Sequence, residues 1–147
     1  MVFLRRRRKV PLRAEDIMVM DLIKVTPDTT IAEAARIMWN RRVGSVLVVD
    51  DEGKLRGIVT ERDLVFACSE AWDTREHRVY EIMSENPITV KPDDSIFTVI
   101  RKMREANVRH LPVVDEEGKP VGIISSRDVI DLILTLMGIA IGIQGEE

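Results

Sequence analysis

Apolar and polar positions along this chain switch between two periods, and they do so twice. Ile31, Ala34, Ala35 and Met38 recur at helical spacing and make one apolar face. Asp28, Thr29 and Thr30 stand ahead of them as N-cap residues. Upstream, Ile23-Lys24-Val25 reads as a short extended piece stopped at Pro27. Downstream, Ser45 to Val49 is a β-branched run closed by Asp50-Asp51-Glu52-Gly53-Lys54, whose acids and glycine suit a tight turn. Leu55 to Thr60 is then the second strand of a hairpin, and Glu61-Arg62-Asp63 opens another helix through Leu64 and Val65. The same order returns 65 residues later, with a helix from Asp93/Asp94/Ser95, a turn at Asp115-Glu116-Glu117-Gly118 and a final helix from Ser126. Two strand patterns per helix predict an α/β fold with mixed sheets, built from two β-α-β-β-α repeats.

The residues themselves repeat as well. Ile17-Met18 returns as Ile82-Met83, and Val25-Thr26-Pro27-Asp28 as Val90-Lys91-Pro92-Asp93. Val43–Asp50 (VGSVLVVD) matches Val108–Asp115 (VRHLPVVD), and Gly57–Asp63 (GIVTERD) matches Gly122–Asp128 (GIISSRD). No insertion or deletion breaks the register between Ile17 and Val65. Each copy has an apolar face that it cannot bury alone, so the two are expected to pack together and form clefts between them. The expected organisation is a basic tail over 1–12, a first repeat over 13–68, a polar linker over 69–76, a second repeat over 77–137 and an extension over 138–147. At 147 residues the chain is one ordinary domain, or two half-size units sharing one core.

Aromatic residues make up only 4% of the chain, so Val, Ile, Leu and Met must supply the core. Cys68 stands alone, which excludes an internal disulfide and a structural zinc site. With no apolar stretch behind the basic start, this points to a reducing, cytoplasmic setting. The net charge of −3 hides an asymmetry: Arg5–Lys9 holds five of the 22 basic residues, leaving 17 against 25 acidic ones. An acidic body argues against a broad nucleic-acid footprint, although the basic run leaves a nucleic-acid accessory role as a weaker alternative. Val129 to Ile143 is apolar, but its uninterrupted part is too short to span a bilayer, and Gly138/Gly142 form a GxxxG that means little outside a membrane. It reads as a terminal helix buried against the partner repeat or a second subunit. No nucleophile–base set, paired catalytic carboxylates or phosphate loop appears, and His77 has no metal-binding company. Met18 and Met83 read as core. Trp39 falls late in the first long helix and Trp72 in the linker.

The paired VVD-x-x-G-K and G-h-h-[ST]-x-x-D signatures, each at constant spacing in both copies, resemble a tandem pair of CBS domains, the arrangement called a Bateman module. The resemblance covers about residues 13–137. It implies repeats packed through their sheets with pseudo-twofold symmetry, a homodimer of flat-disk shape, and two clefts that take adenosine nucleotides or related ligands. It implies sensing rather than catalysis, acting on a target protein that the sequence does not name.

Thr60 with Asp63, and Ser125 with Asp128, are the strongest candidate ligand residues. Three-residue spacing at a helix start puts hydroxyl and carboxylate over the first turn, and a carboxylate can accept both hydrogen bonds of a ribose diol. The same residues could equally be plain helix caps. Arg109 and His110 match the position where nucleotide-binding relatives carry a His/Arg pair for phosphate; the alternative is a solvated strand entrance. The first copy has Gly44-Ser45 there, with Arg41 and Arg42 at the end of the preceding helix, so the two clefts should differ. Lys91, at the position of Thr26, is a further candidate cation, and both positions join the expected site; Arg62 and Arg127 are secondary. Three readings follow: a non-enzymatic sensor of AMP, ADP, ATP or an S-adenosylmethionine-like ligand, a structural dimerisation protein with empty clefts, or the nucleic-acid accessory protein.

Overall fold

The computed structural model describes residues 13–138; the basic run Arg5–Lys9 and the end of the apolar stretch, including Gly142, lie outside the described residues. The elements in chain order are α1 (Ala14–Ile17), β1 (Lys24–Val25), α2 (Ile31–Arg41), β2 (Ser45–Val49), β3 (Leu55–Thr60), α3 (Glu61–Ser69), a 3-10 turn (Val79–Glu81), β4 (Ser84–Glu85), α4 (Ile96–Ala106), β5 (His110–Val114), β6 (Pro120–Ser125) and α5 (Ser126–Leu136). The expected mixed α/β architecture is present.

Local chemistry sets the element boundaries. Thr30 Oγ1 accepts from the Glu33 N–H at 3.1 Å, and Ser95 Oγ accepts from Thr98 N–H at 3.2 Å, so α2 and α4 start at matching caps. Both helices end on a left-handed residue, Arg42 (φ 55°) and Asn107 (φ 53°). In both hairpin turns an aspartate Oδ1 organises the loop: Asp50 accepts from the Glu52 and Lys54 N–H groups, and Asp115 from Glu117 and Lys119. Gly53 (φ 79°) and Gly118 (φ 80°) supply the left-handed step.

The sheets exchange segments. β1 runs parallel to β2, β2 pairs antiparallel with β3, and β3 takes β4 from the start of the second repeat (Ile58 opposite Ser84). Reciprocally, Val19 from the start of the first repeat bridges Ile123 on β6. The same holds one layer out, where Arg13 bridges Ser95 and Thr30 bridges Arg78. Each such pair maps onto the other by the constant offset, so the exchange carries the pseudo-twofold relation of the repeats. Pairing of Val90 with Val113 mirrors β1 on β2, but as a single bridge.

Two separate cores result, where one shared core was among the expectations. One is built on Val25, Ile31, Ala34, Val46, Val48, Val59 and Val79, with Met83 packed against it. The other is built on Ala14, Val90, Val99, Leu111, Val113 and Ile124, with Ile17 and Met18 packed against it. Met18 and Met83 therefore do serve cores, each in the opposite repeat from its place in sequence. A separate reservoir of contact joins the hairpins: Leu55 N–H donates to the Gly118 carbonyl at 3.0 Å. Pro120 occupies the position equivalent to Leu55 and has no N–H, so the reciprocal bond cannot form.

Candidate functional site

Strand β3 leads directly into α3 and β6 directly into α5, so each hairpin delivers a hydroxyl–carboxylate pair to a helix N-terminus. At Thr60, Asp63 Oδ2 accepts from the backbone N–H at 2.8 Å and from the hydroxyl at 3.3 Å. At Ser125, Asp128 Oδ2 accepts from the N–H at 2.7 Å and the hydroxyl at 3.0 Å, and Ser125 Oγ accepts from Asp128 N–H at 3.2 Å. Both pairs are helix caps. In both, the cap occupies one carboxylate oxygen, and Oδ1 makes no hydrogen bond among the described residues.

Burial pushes the Asp63 carboxyl above its ordinary value, with the Thr60 N–H and hydroxyl and the Arg62 charge pulling it part of the way back. No cation within ion-pair distance neutralises it among the described residues.

His110 begins β5 directly opposite Ser125, as Ser45 begins β2 opposite Thr60. Its ring reaches across the junction of the repeats: a Cβ on Gly44 would lie 3.0 Å from His110 Nε2 and 3.6 Å from Glu61 Oε1. Gly44 thus makes room for the imidazole of the other repeat. Desolvation holds His110 below the ordinary imidazole value; Glu61 and Asp128 oppose that shift and Arg109 adds to it. Arg109 is exposed, and its carbonyl accepts from Ser126 N–H at 2.8 Å, which fixes the residue beside the α5 N-terminus. His110, Arg109, Ser125 and Asp128 therefore converge on one helix start.

The remaining expected residues do not join these groups within their own repeats. Thr26 follows Val25, which pairs with Val48, whereas Thr60 pairs with Ser45. That separates Thr26 from Thr60 by the length of β2, about 13 Å at ~3.3 Å per residue. Its hydroxyl is engaged locally with Thr29 Oγ1 at 3.3 Å. Lys91 stands at the matching place, exposed, with its N–H bonded to Asp94 Oδ2 at 2.8 Å. Arg62 and Arg127 are exposed in the first helical turns.

Sequence reasoning passed over Glu61, which borders Gly44 and His110. It also passed over a groove of about 740 Å³ between the end of α2 and the start of α3, lined by Ala35, Trp39, Arg42, Gly44 and Glu61 among others. The available signal was the mismatch between copies, Gly44 against Arg109 and Glu61 against Ser126. Trp72, by contrast, is partly buried: it packs against the first core and stacks on His77 with ring centroids 4.5 Å apart. Among the described residues no group of His, Cys, Asp and Glu side chains could hold a metal ion, and no helix is long and apolar enough to cross a membrane.

Comparison with known proteins supplies the context. A homoserine O-acetyltransferase of Methanosalsum zhilinae is 35% identical over 83% of this chain, which spans only 24% of that protein. A CBS domain pair crystallised with 5′-methylthioadenosine and S-adenosyl-L-methionine superposes with a TM-score of 0.76 at 32% identity, covering 82% of this chain and 94% of that one. The cytosolic domain of a Mg2+ channel in complex with ATP gives a TM-score of 0.71 at 33% identity, covering 82% of this chain and 48% of that one. The CBS-domain profile matches residues 14–70 and again 79–135, so the chain belongs to the CBS-domain family and carries two such domains in tandem.

Proposed function

We propose that this protein is a non-enzymatic regulatory module that binds an adenosine-type ligand at the helix starts of its two repeats. One observation carries the reading: both capped carboxylates keep an unused Oδ1 acceptor at a helix N-terminus, one of them half-buried without a cation. A ribose diol offers the two donors such a group lacks, and the positive dipole ends of α3 and α5 suit a nearby anion. The complexes of related CBS pairs with S-adenosylmethionine, methylthioadenosine and ATP support the ligand class. Arg109 and His110 serve phosphate on the second side only, so the two clefts bind unequally. Ligand acts by favouring one arrangement of the repeats over another, which a target protein reads.

The exposed apolar residues of α3 and α5 favour assembly as part of the same function. Val65 is 66% exposed, Ile130 56% and Leu136 50%. They would sit at a homodimer interface, whether or not the clefts are filled. A thermal-shift panel of AMP, ADP, ATP, S-adenosylmethionine and GTP tests the reading. At a hundredfold excess over its dissociation constant a bound ligand stabilises by about 2.7 kcal/mol, a clear upward shift. No shift with any of them, in a protein that still dimerises, leaves the structural role instead.

A further inference from the structure

Helices α2 and α4 each carry a second stripe beside the one that enters the core. On α2 the core takes Ile31, Ala34 and Met38, and the positions next round the helix are Ala32, Ala35 and Trp39. On α4 the core takes Ile96, Val99 and Met103, and the next positions are Phe97, Ile100 and Arg104. The inner stripes are alike, but the outer ones differ in size in a consistent sense. Ala32 and Ala35 stand where the second repeat has Phe97 and Ile100, and Cys68 on α3 stands where α5 has Ile133. The first repeat thus presents a hollow and the second a ridge. Ala35 lines the groove between α2 and α3 together with Met38, Val43 and Leu64, whereas Phe97 is 75% exposed.

The charges divide in the same way. Arg101, Arg104 and Glu105 flank the ridge, and Arg42 and Glu61 line the hollow. None of these five forms an ion pair within 4.0 Å among the described residues. Trp39, 84% exposed, stands on α2 where Arg104 stands on α4.

We propose that a second copy of this chain covers these faces head to tail, with the α4–α5 side of one protomer on the α2–α3 side of its partner. The homodimer belongs to the function proposed above, on which this inference rests; its orientation is the new element. Size decides the orientation. Pairing like with like would press Phe97, Ile100 and Ile133 against their own copies at one end. At the other end it would leave Ala32, Ala35 and Cys68 facing their copies across a gap, and a gap forfeits the contacts of the atoms that line it. Crosswise, the ridge fills the hollow. Charge agrees: like-with-like pairing sets Arg101 and Arg104 against the same arginines around an apolar centre. Crosswise pairing offers Arg104 the indole of Trp39 and the carboxylate of Glu61, and offers Glu105 the guanidinium of Arg42. A twofold axis makes both crosswise contacts at once, so the assembly closes at two chains.

Disulfide trapping reads the orientation in the full chain. In a Cys68→Ser background, Ala35→Cys and Ile100→Cys are made singly and also co-expressed as differently tagged chains. A disulfide needs Cα atoms within about 7 Å, so only positions that meet are trapped. The expected result is a cross-linked mixed dimer from the co-expressed pair and none from either variant alone. A second variant needs no cysteine: Ala35→Leu overfills the crosswise contact and should weaken self-association by about tenfold, and adding Ile100→Ala in the same chain should restore it. A dimer whose cross-links join like positions, or that gives none, overturns the orientation and leaves the homodimer standing. So does a dimer that Ala35→Leu leaves unchanged or tightens. A parent chain that sediments as a monomer overturns the orientation and the homodimer together and leaves these faces to a target protein.

Discussion

Two residues make the electrostatic case. Asp63 has a folded-state carboxyl that titrates above its ordinary value, so between the two values the folded chain holds more protons than the unfolded one. Stability from this group is complete at acid pH and falls as pH rises through that window, leaving an ionised, half-buried carboxylate as a cost at neutral pH. Asp63→Asn keeps an acceptor for the Thr60 N–H and removes the charge. Its melting temperature at pH 7 should equal or exceed that of the parent, while ribonucleotide binding in the first cleft falls; a lower melting temperature would show that the charge is there for the cap. His110 has the opposite sign. Burial holds it below the ordinary imidazole value, so its contribution is present above about pH 6.5 and is lost as pH falls from there toward its folded value. A phosphate beside Arg109 reverses that preference and draws a proton onto the ring. Nucleotide binding should therefore take up protons and tighten between pH 8 and 6, which titration in buffers of different ionisation enthalpy measures. His110→Gln should abolish the uptake. At these positions the sequence showed residue types and spacing, but not burial, and burial is what sets both signs.

At the scale of elements, the helices and hairpins were legible because their signals are local. The run Ser45–Val49, the Asp-to-Gly turn and the partner Leu55–Thr60 appear with the bounds expected, and so does the helix that Thr30 caps. The exchange of segments was not legible. Ile17-Met18 and Ile82-Met83 look the same whether each serves its own repeat or the other, since pairing across the chain leaves no period in the sequence. Only the structure shows Met83 against Gly57 and Met18 against Gly122. A Cβ on Gly57 would come within 2.5 Å of the Met83 sulfur and 3.0 Å of the Ser84 carbonyl, which belongs to the backbone of the exchanged strand. Gly57→Ala should therefore cost about 1–3 kcal/mol as overpacking, and should loosen β4 from β3. Chemical denaturation with hydrogen exchange at Ile58 and Ser84 checks this. A neutral substitution would mean that the exchanged strand is not held at this point.

For the molecule as a whole, pseudo-symmetry and its breakage together give the function. The caps at Thr60 and Ser125 are alike, but the Arg109–His110 pair and the Gly118–Leu55 contact belong to one side each. Exposed apolar residues on α3 and α5 point outward from this pair, so Ile130→Asp combined with Leu136→Asp should weaken self-association by tenfold or more, on the order of the ~1.4 kcal/mol that such a change represents. Sedimentation at micromolar concentration reads it, and a parent chain that sediments as a monomer contradicts the homodimer. The central claim is that a capped carboxylate recognises ribose, and it is tested most directly by titrating the best-binding adenosine ligand against its 2′-deoxy analogue, in the parent and in Asp128→Ala. One lost charge-assisted hydrogen bond is worth roughly 1.5–3 kcal/mol, so the deoxy form should bind the parent about tenfold or more weakly, and the folded variant should no longer distinguish the two. Equal affinities for both forms in the parent protein would contradict the account.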